Sequence, residues 1–231
     1  MEAHRVWLSR DKTTTDYVNI FENVNGKHVW FWDDAWYTKQ QLDYLLDLKN
    51  DNINKLLNNP LIPPTLYSQY YSTSGCNISH IYMYNIITTK YKKAEDIGDI
   101  LEFGGGYGNL CRCFFHSGFK NNYYLRDLPN QINVQKSYLK KCNIDQEKLH
   151  FNNDKDKYEI DCFIACWSIS ETPINLRNNF LSKVNANFIF LGLQHSFREI
   201  NNLNYFKEYI NQNSNYNWEI NKWFGDKNSV L

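Results

Sequence analysis

The stretch Glu102-Phe103-Gly104-Gly105-Gly106-Tyr107-Gly108 constrains this chain more than any other. It follows the short apolar run Ile100-Leu101-Glu102-Phe103, and a helical pattern starts at Asn109. Glycine enters the left-handed backbone region without a Cβ penalty, so a strand can turn sharply into a helix here. The turn also leaves N–H groups free to face a ligand. A second short strand, Tyr123–Arg126, is closed by Asp127-Leu128-Pro129, with Asp127 lying 23 positions beyond Gly104. A carboxylate at such a strand end can accept hydrogen bonds from both hydroxyls of a ribose. Turn and acid together describe a nucleoside cofactor lying across the carboxyl ends of two neighbouring strands. The competing reading is a tight turn without a ligand, with Asp127 as a helix N-cap.

Around this turn the pattern alternates. Strands are expected at 99–103, 123–126, 149–151, 162–166, 187–192 and 217–224, and helices at 109–118, 131–141, 175–184 and 203–211. Alternation at this spacing predicts an α/β, doubly wound, mostly parallel sheet. Residues 1–95 differ in being irregular and aromatic-rich. They are expected to hold a short helix at 16–24, a turn at Asn25-Gly26-Lys27 and a strand at 28–32, then helices at 39–57 and 77–92. The chain thus divides into a helical N-terminal cap, 1–95, which would form an acceptor pocket, and a cofactor domain, 96–231.

Composition narrows the partners. Lys and Arg number 25, balanced by 25 Asp and Glu, so there is no electrostatic footprint for nucleic acid or an anionic membrane. No apolar run approaches the ~20 residues of a membrane span. The opening Met-Glu-Ala-His-Arg-Val-Trp lacks the apolar stretch of a signal peptide, so a cytoplasmic location is expected. The six cysteines then read as reduced, mostly buried thiols. Cys111-x-Cys113 and Cys162-x3-Cys166 lack zinc-site spacing, so no metal site is expected from them. Asparagine occurs 32 times, which suits an A/T-rich genome and weakens any reading of Asn clusters as sites.

Two nucleoside cofactors compete for the turn. The dinucleotide fingerprint needs G-x-G-x-x-G, and counted from Gly104 its sixth position is Asn109. The run instead has the form E-x-G-x-G-x-G, which resembles the first motif of class I S-adenosylmethionine (SAM)-dependent methyltransferases. The run Ile100–Leu110, then Tyr124-Leu125-Arg126-Asp127-Leu128-Pro129, then Trp167-Ser168-Ile169-Ser170-Glu171 resembles the sugar O-methyltransferase family more narrowly. The match covers about residues 75–200. It implies a Rossmann-like fold and methyl transfer from SAM to a hydroxyl of a sugar or nucleotide-sugar in surface-glycan synthesis. It also implies a cofactor site of Glu102, Gly104, Gly106, Gly108, Asp127, Leu128 and Trp167, with Glu102 facing the amino end of the methionine part and Leu128 beside the adenine. In that fold a seventh strand runs antiparallel between the fifth and sixth; here it is expected to be incomplete, a stub at Asn228-Ser229-Val230-Leu231.

A sugar hydroxyl is a weak nucleophile, so a base is expected. His195, after the fifth strand, is the first candidate, since imidazole titrates near operating pH. Glu171, after the fourth, is the second, and an N-terminal residue such as His80 or a metal the third. Asn152-Asn153-Asp154 could hold the adenine amino group. Trp30, Trp32, Trp36, Tyr70, Tyr71, Tyr82 and Tyr84 could line a sugar or cofactor lid, although aromatics at this density more often form core. The other functional readings are a methyltransferase for a different small acceptor and a non-catalytic SAM-binding protein.

Overall fold

The computed structural model describes residues 36–59, 61, 73–222 and 228–230. The helix, turn and strand expected before residue 33, and the residues Trp30, Trp32, Tyr70 and Tyr71, lie outside the described residues. By their contacts the residues fall into two compact units. The first takes the chain up to 95 with 106–119 and 128–146; the second takes 96–105, 120–127 and everything from 147 onward.

The first unit is helical: α1 (Trp36–Asp47), α2 (Asp51–Leu57), α3 (Gly75–Lys90), α4 (Asn109–His116) and α5 (Pro129–Lys141). The single helix expected at 39–57 is in fact two. Lys49 has φ +48°, and the Asn50 side chain accepts from Asn52 N and Ile53 N, capping α2. An Asn side chain that competes with the backbone for N–H groups breaks a helix even where the apolar spacing continues across it. Ile78, Ile81 and Ile87 of α3 are buried with Leu110 and Phe114 of α4, and the Tyr84 and Phe114 rings meet edge to face at 5.3 Å.

The second unit is built on β1 (Ile100–Phe103), β2 (Tyr123–Arg126), β3 (Leu149–Phe151), β4 (Tyr158–Cys166) and β5 (Val184–Gln194). It adds helices α6 (Ser168–Glu171), α7 (Ile174–Leu181) and α8 (Asn202–Gln212), and the strands β6 (Asn221–Lys222) and β7 (Asn228–Val230). The sheet order is β3-β2-β1-β4-β5-β7-β6. The first five strands are parallel, and β7 is antiparallel to both of its neighbours. The seventh strand is therefore in place as three residues, with Gly192 opposite Val230. Of the positions expected for the sixth, 217–220 are not strand, Asn221 and Lys222 are, and 223 and 224 lie outside the described residues. Leu101, Phe163, Ala165, Leu191 and Leu193 bury against Phe180, Leu181 and Phe206. In register, Leu101 lies beside Tyr124 on one side and Phe163 on the other. This pairing brings the carboxyl ends of β2, β1, β4 and β5 side by side in that order. Among the described residues no helix is long and apolar enough to cross a membrane.

Candidate functional site

At the carboxyl end of β1, Gly104 has φ +78° and donates its N–H to Arg126 O at 2.7 Å. A Cβ on Gly104 would lie 1.8 Å from Ser168 Oγ. The glycine is thus required by Ser168, whose hydroxyl reaches Gly104 O at 3.2 Å, before any ligand is considered. Glu102 is 5% exposed and accepts from the Tyr123 hydroxyl at 2.8 Å. Its Oε2 lies 3.0 Å from where a Gly105 Cβ would be, so the carboxyl is tucked beneath the turn. Burial, with Asp127 adding repulsion, pushes its pKa up to about 7 against the Tyr123 bond.

Asp127 is half-buried and stands one residue ahead of Leu128, the N-cap of α5. The Asp127 N–H donates to Asn152 Oδ1 at 3.0 Å, so that Asn side chain shapes the strand end. Asp154 pairs with Arg126 at 2.8 Å. Leu128 is 50% exposed, which a plain core leucine would not be.

The loops after β4 and β5 meet. Trp167 has φ +61°, a conformation that costs a bulky residue ~1–3 kcal/mol and persists only where its surroundings impose it. One such constraint is the bond from Trp167 N to Gly192 O at 2.6 Å. Four residues on, Glu171 accepts from Gln194 Nε2 at 2.6 Å, and burial pushes its pKa up. His195 follows Gln194; its carbonyl accepts from Asn202 N and Leu203 N. The structure therefore brings Trp167, Glu171 and His195 to one stretch of the sheet's carboxyl edge.

Behind them stands a residue that the sequence did not reveal. Arg177 is fully buried; it donates to Ser170 O and Thr172 O, each at 2.9 Å, and to Asn202 Oδ1 at 3.0 Å. Its guanidinium lies 4.4 Å from the Tyr205 ring. Asn202 Nδ2 adds a second bond to Ser170 O at 3.1 Å. These contacts pin α6 and the following Thr172 by their carbonyls. An Arg within an ordinary helical stretch carries no sequence signal for such a role.

Within the first unit, Gly106 and Gly108 have φ +57° and +93°. A Cβ on Gly108 would crowd Leu139 at 3.2 Å, whereas one on Gly106 meets nothing within 4 Å. Gly108 is the N-cap of α4 and brings no capping side chain. Asn109 is fully buried, and its Oδ1 accepts from Arg112 Nε and the Tyr138 hydroxyl, both at 2.8 Å. Because Arg112 can only donate, the Asn109 amide nitrogen must face Asn77 Oδ1, at 2.9 Å, and His80 Nδ1, at 3.3 Å. His80 Nδ1 is therefore an acceptor and its proton sits on Nε2. Burial and then Arg112 push the His80 pKa down to about 4. A ring whose basic nitrogen is already occupied does not suit the role of acceptor base.

The order β3-β2-β1-β4-β5-β7-β6 with an antiparallel β7 is that of the class I SAM-dependent methyltransferase fold. The sequence matches no protein-family model and no curated protein. Several solved structures are similar. S-adenosylhomocysteine-bound PaMTH1 of Podospora anserina is 10% identical, with a TM-score of 0.47 over 96% of each chain. The methyltransferase domain of bacterial CtHen1 is 12% identical, with a TM-score of 0.49 over 64% of this chain and 95% of that one. A SAM-dependent methyltransferase of Aquifex aeolicus is 12% identical, with a TM-score of 0.44 over 64% and 86%.

Proposed function

We propose that this chain is a SAM-dependent O-methyltransferase acting on a hydroxyl of a sugar or nucleotide-sugar. The observation that carries the cofactor half is the placement of the half-buried Asp127 at the carboxyl end of β2, the strand adjoining the one that runs into the glycine turn, with the exposed Leu128 directly after it. The carboxylate would hold the ribose hydroxyls, the leucine would flank the adenine, and the turn from Gly104 to Gly108 would receive the methionine part through backbone N–H groups. Trp167 would close the sulfonium end. The open approach at Gly106 suits a ligand pressed against the backbone. Asn109 argues against a dinucleotide, because its amide is committed to Arg112 and Tyr138 where the fingerprint needs a third glycine.

When bound, the cofactor supplies an electrophilic methyl group. The protein must orient the acceptor hydroxyl, exclude water and take up its proton. His195 is the proposed proton acceptor and Glu171 its rival, both on the loops that Arg177 and Asn202 hold. A carboxyl made more basic by burial is fitted to the same task. The sugar acceptor rests on the Asp127-Leu128-Pro129 and Ser168-x-Ser170-Glu171 resemblance, and the hydroxyl chemistry on these two candidate bases.

Calorimetry tests the cofactor. The chain is expected to bind SAM and S-adenosylhomocysteine but not NAD. Asp127→Ala should weaken S-adenosylhomocysteine by ~1.5–3 kcal/mol, about 10- to 150-fold, with the fold intact. Binding of NAD alone would overturn the reading, and an unchanged affinity in Asp127→Ala would remove that residue from the site. Mass analysis of methylated sugars after incubation with a glycan extract tests the acceptor.

A further inference from the structure

The first unit holds a buried amide that the fold leaves unsatisfied. Gln131 is 3% exposed, and its Oε1 accepts no hydrogen bond from the described residues. A buried acceptor without a donor is a penalty that a leucine or methionine at the same place would not carry. Gln131 stands in the first turn of α5, four residues ahead of Gln135, so both side chains leave the same helix face. Gln135 donates from Nε2 to Gly106 O at 3.0 Å, which turns that face toward the glycine turn. At Gly106 the space in front of the backbone is open. The orphan acceptor and the open backbone approach thus belong to one side of α5, immediately after Asp127 and Leu128.

We propose that Gln131 is a ligand-binding residue whose Oε1 accepts a hydrogen bond from an O–H or N–H of the adenosine moiety. An amide oxygen can only accept, which selects a donor, and adenosine offers ribose hydroxyls and an exocyclic amine. The proposal rests on the SAM reading above. It adds a contact to the nucleoside from the first turn of α5, next to Leu128.

The test uses Gln131→Met, which keeps the length of the side chain and removes the acceptor. Two probes are titrated into it by calorimetry: S-adenosylhomocysteine and 5′-methylthioadenosine, which lacks the amino-acid part. Both should weaken by the same factor, about 3- to 10-fold. The melting temperature without ligand should hold or rise, because an unsatisfied acceptor has been removed. Unchanged affinity for both probes overturns the proposal. So does a loss confined to S-adenosylhomocysteine, which would place the amide at the amino-acid end, and so does a fall in the ligand-free melting temperature, which would reveal a structural partner. If the wild-type chain binds neither probe, the cofactor reading itself falls, and this proposal with it.

Discussion

A carboxyl held beneath a glycine turn makes the stability of this protein depend on pH. Unfolded, Glu102 ionises near its ordinary value of 4.5; folded, it does so at about 7. Between those values the folded chain binds the extra proton, so the contribution of Glu102 to stability is greatest below 4.5 and falls as pH climbs to about 7. Glu102→Gln removes the ionisation and can still accept from Tyr123. It is expected to gain about 3 kcal/mol on the wild type at pH 8 and little at pH 4.5, measured by urea unfolding at both. A gain that ignores pH would mean that the carboxyl is not buried as charge. The proton acceptor is a second question at this scale. A pH–rate profile at saturating SAM should lose its ionisation in His195→Ala, with kcat down ~10²–10⁴-fold. If Glu171 is the base instead, the ionisation lies above the ordinary carboxylate range, because burial raises it, and it disappears in Glu171→Gln. Gly104 shows where sequence reasoning stopped short. The motif predicted a positive φ there, but the atom that forbids a side chain is Ser168 Oγ, a contact between residues 64 positions apart.

Elements were legible where hydrophobic period and chain punctuation agreed. β2 and β3 stand where Tyr123–Arg126 and Leu149–Phe151 predicted them, because short runs of aromatic residues and leucine ended at turn residues. β4 is longer than Cys162–Cys166, since its first half, Tyr158-Glu159-Ile160-Asp161, carries charges on its exposed side. The break at Asn50 was hidden because leucine and isoleucine spacing runs through it. The Ser168–Thr172 segment was legible as a motif but not as a short supported helix, because its support comes from Arg177 of α7 and Asn202 of α8. Arg177→Met should cost about 2–4 kcal/mol, leaving Thr172 O without its charged donor. Amide exchange should quicken across 168–172 before global unfolding. Arg177→Lys should recover only a fraction, since one ammonium cannot span three acceptors as the planar fork does. Full recovery by lysine would show that charge alone matters there.

At the scale of the whole sheet, among the described residues β6 is joined to the other strands only through β7, and β7 meets β5 over three residue pairs. Few ladder bonds mean low local stability. In hydrogen exchange followed by mass spectrometry, the amides of β6 and β7 should exchange first among the strands, and those of β1 and β4, flanked on both sides, last. Equal protection across the sheet would contradict this. The sequence predicted the five parallel strands and the place of the antiparallel one, yet expected the final hairpin in other proportions. Two and three residues hold too little periodicity to register, and although β6 pairs with β7 close by in sequence, β7 finds β5 only 34 or more positions back. In the order of synthesis, β2, β4 and β5 each emerge to find their neighbour already made, as does β3 beside β2. β6 does not: it leaves the ribosome before the strand that must lie between it and β5. Its residues have no ladder to join until Asn228–Val230 arrive and slot in beside Gly192. The far edge of the sheet is thus assembled out of sequence, as a separate closing event after the parallel strands are made.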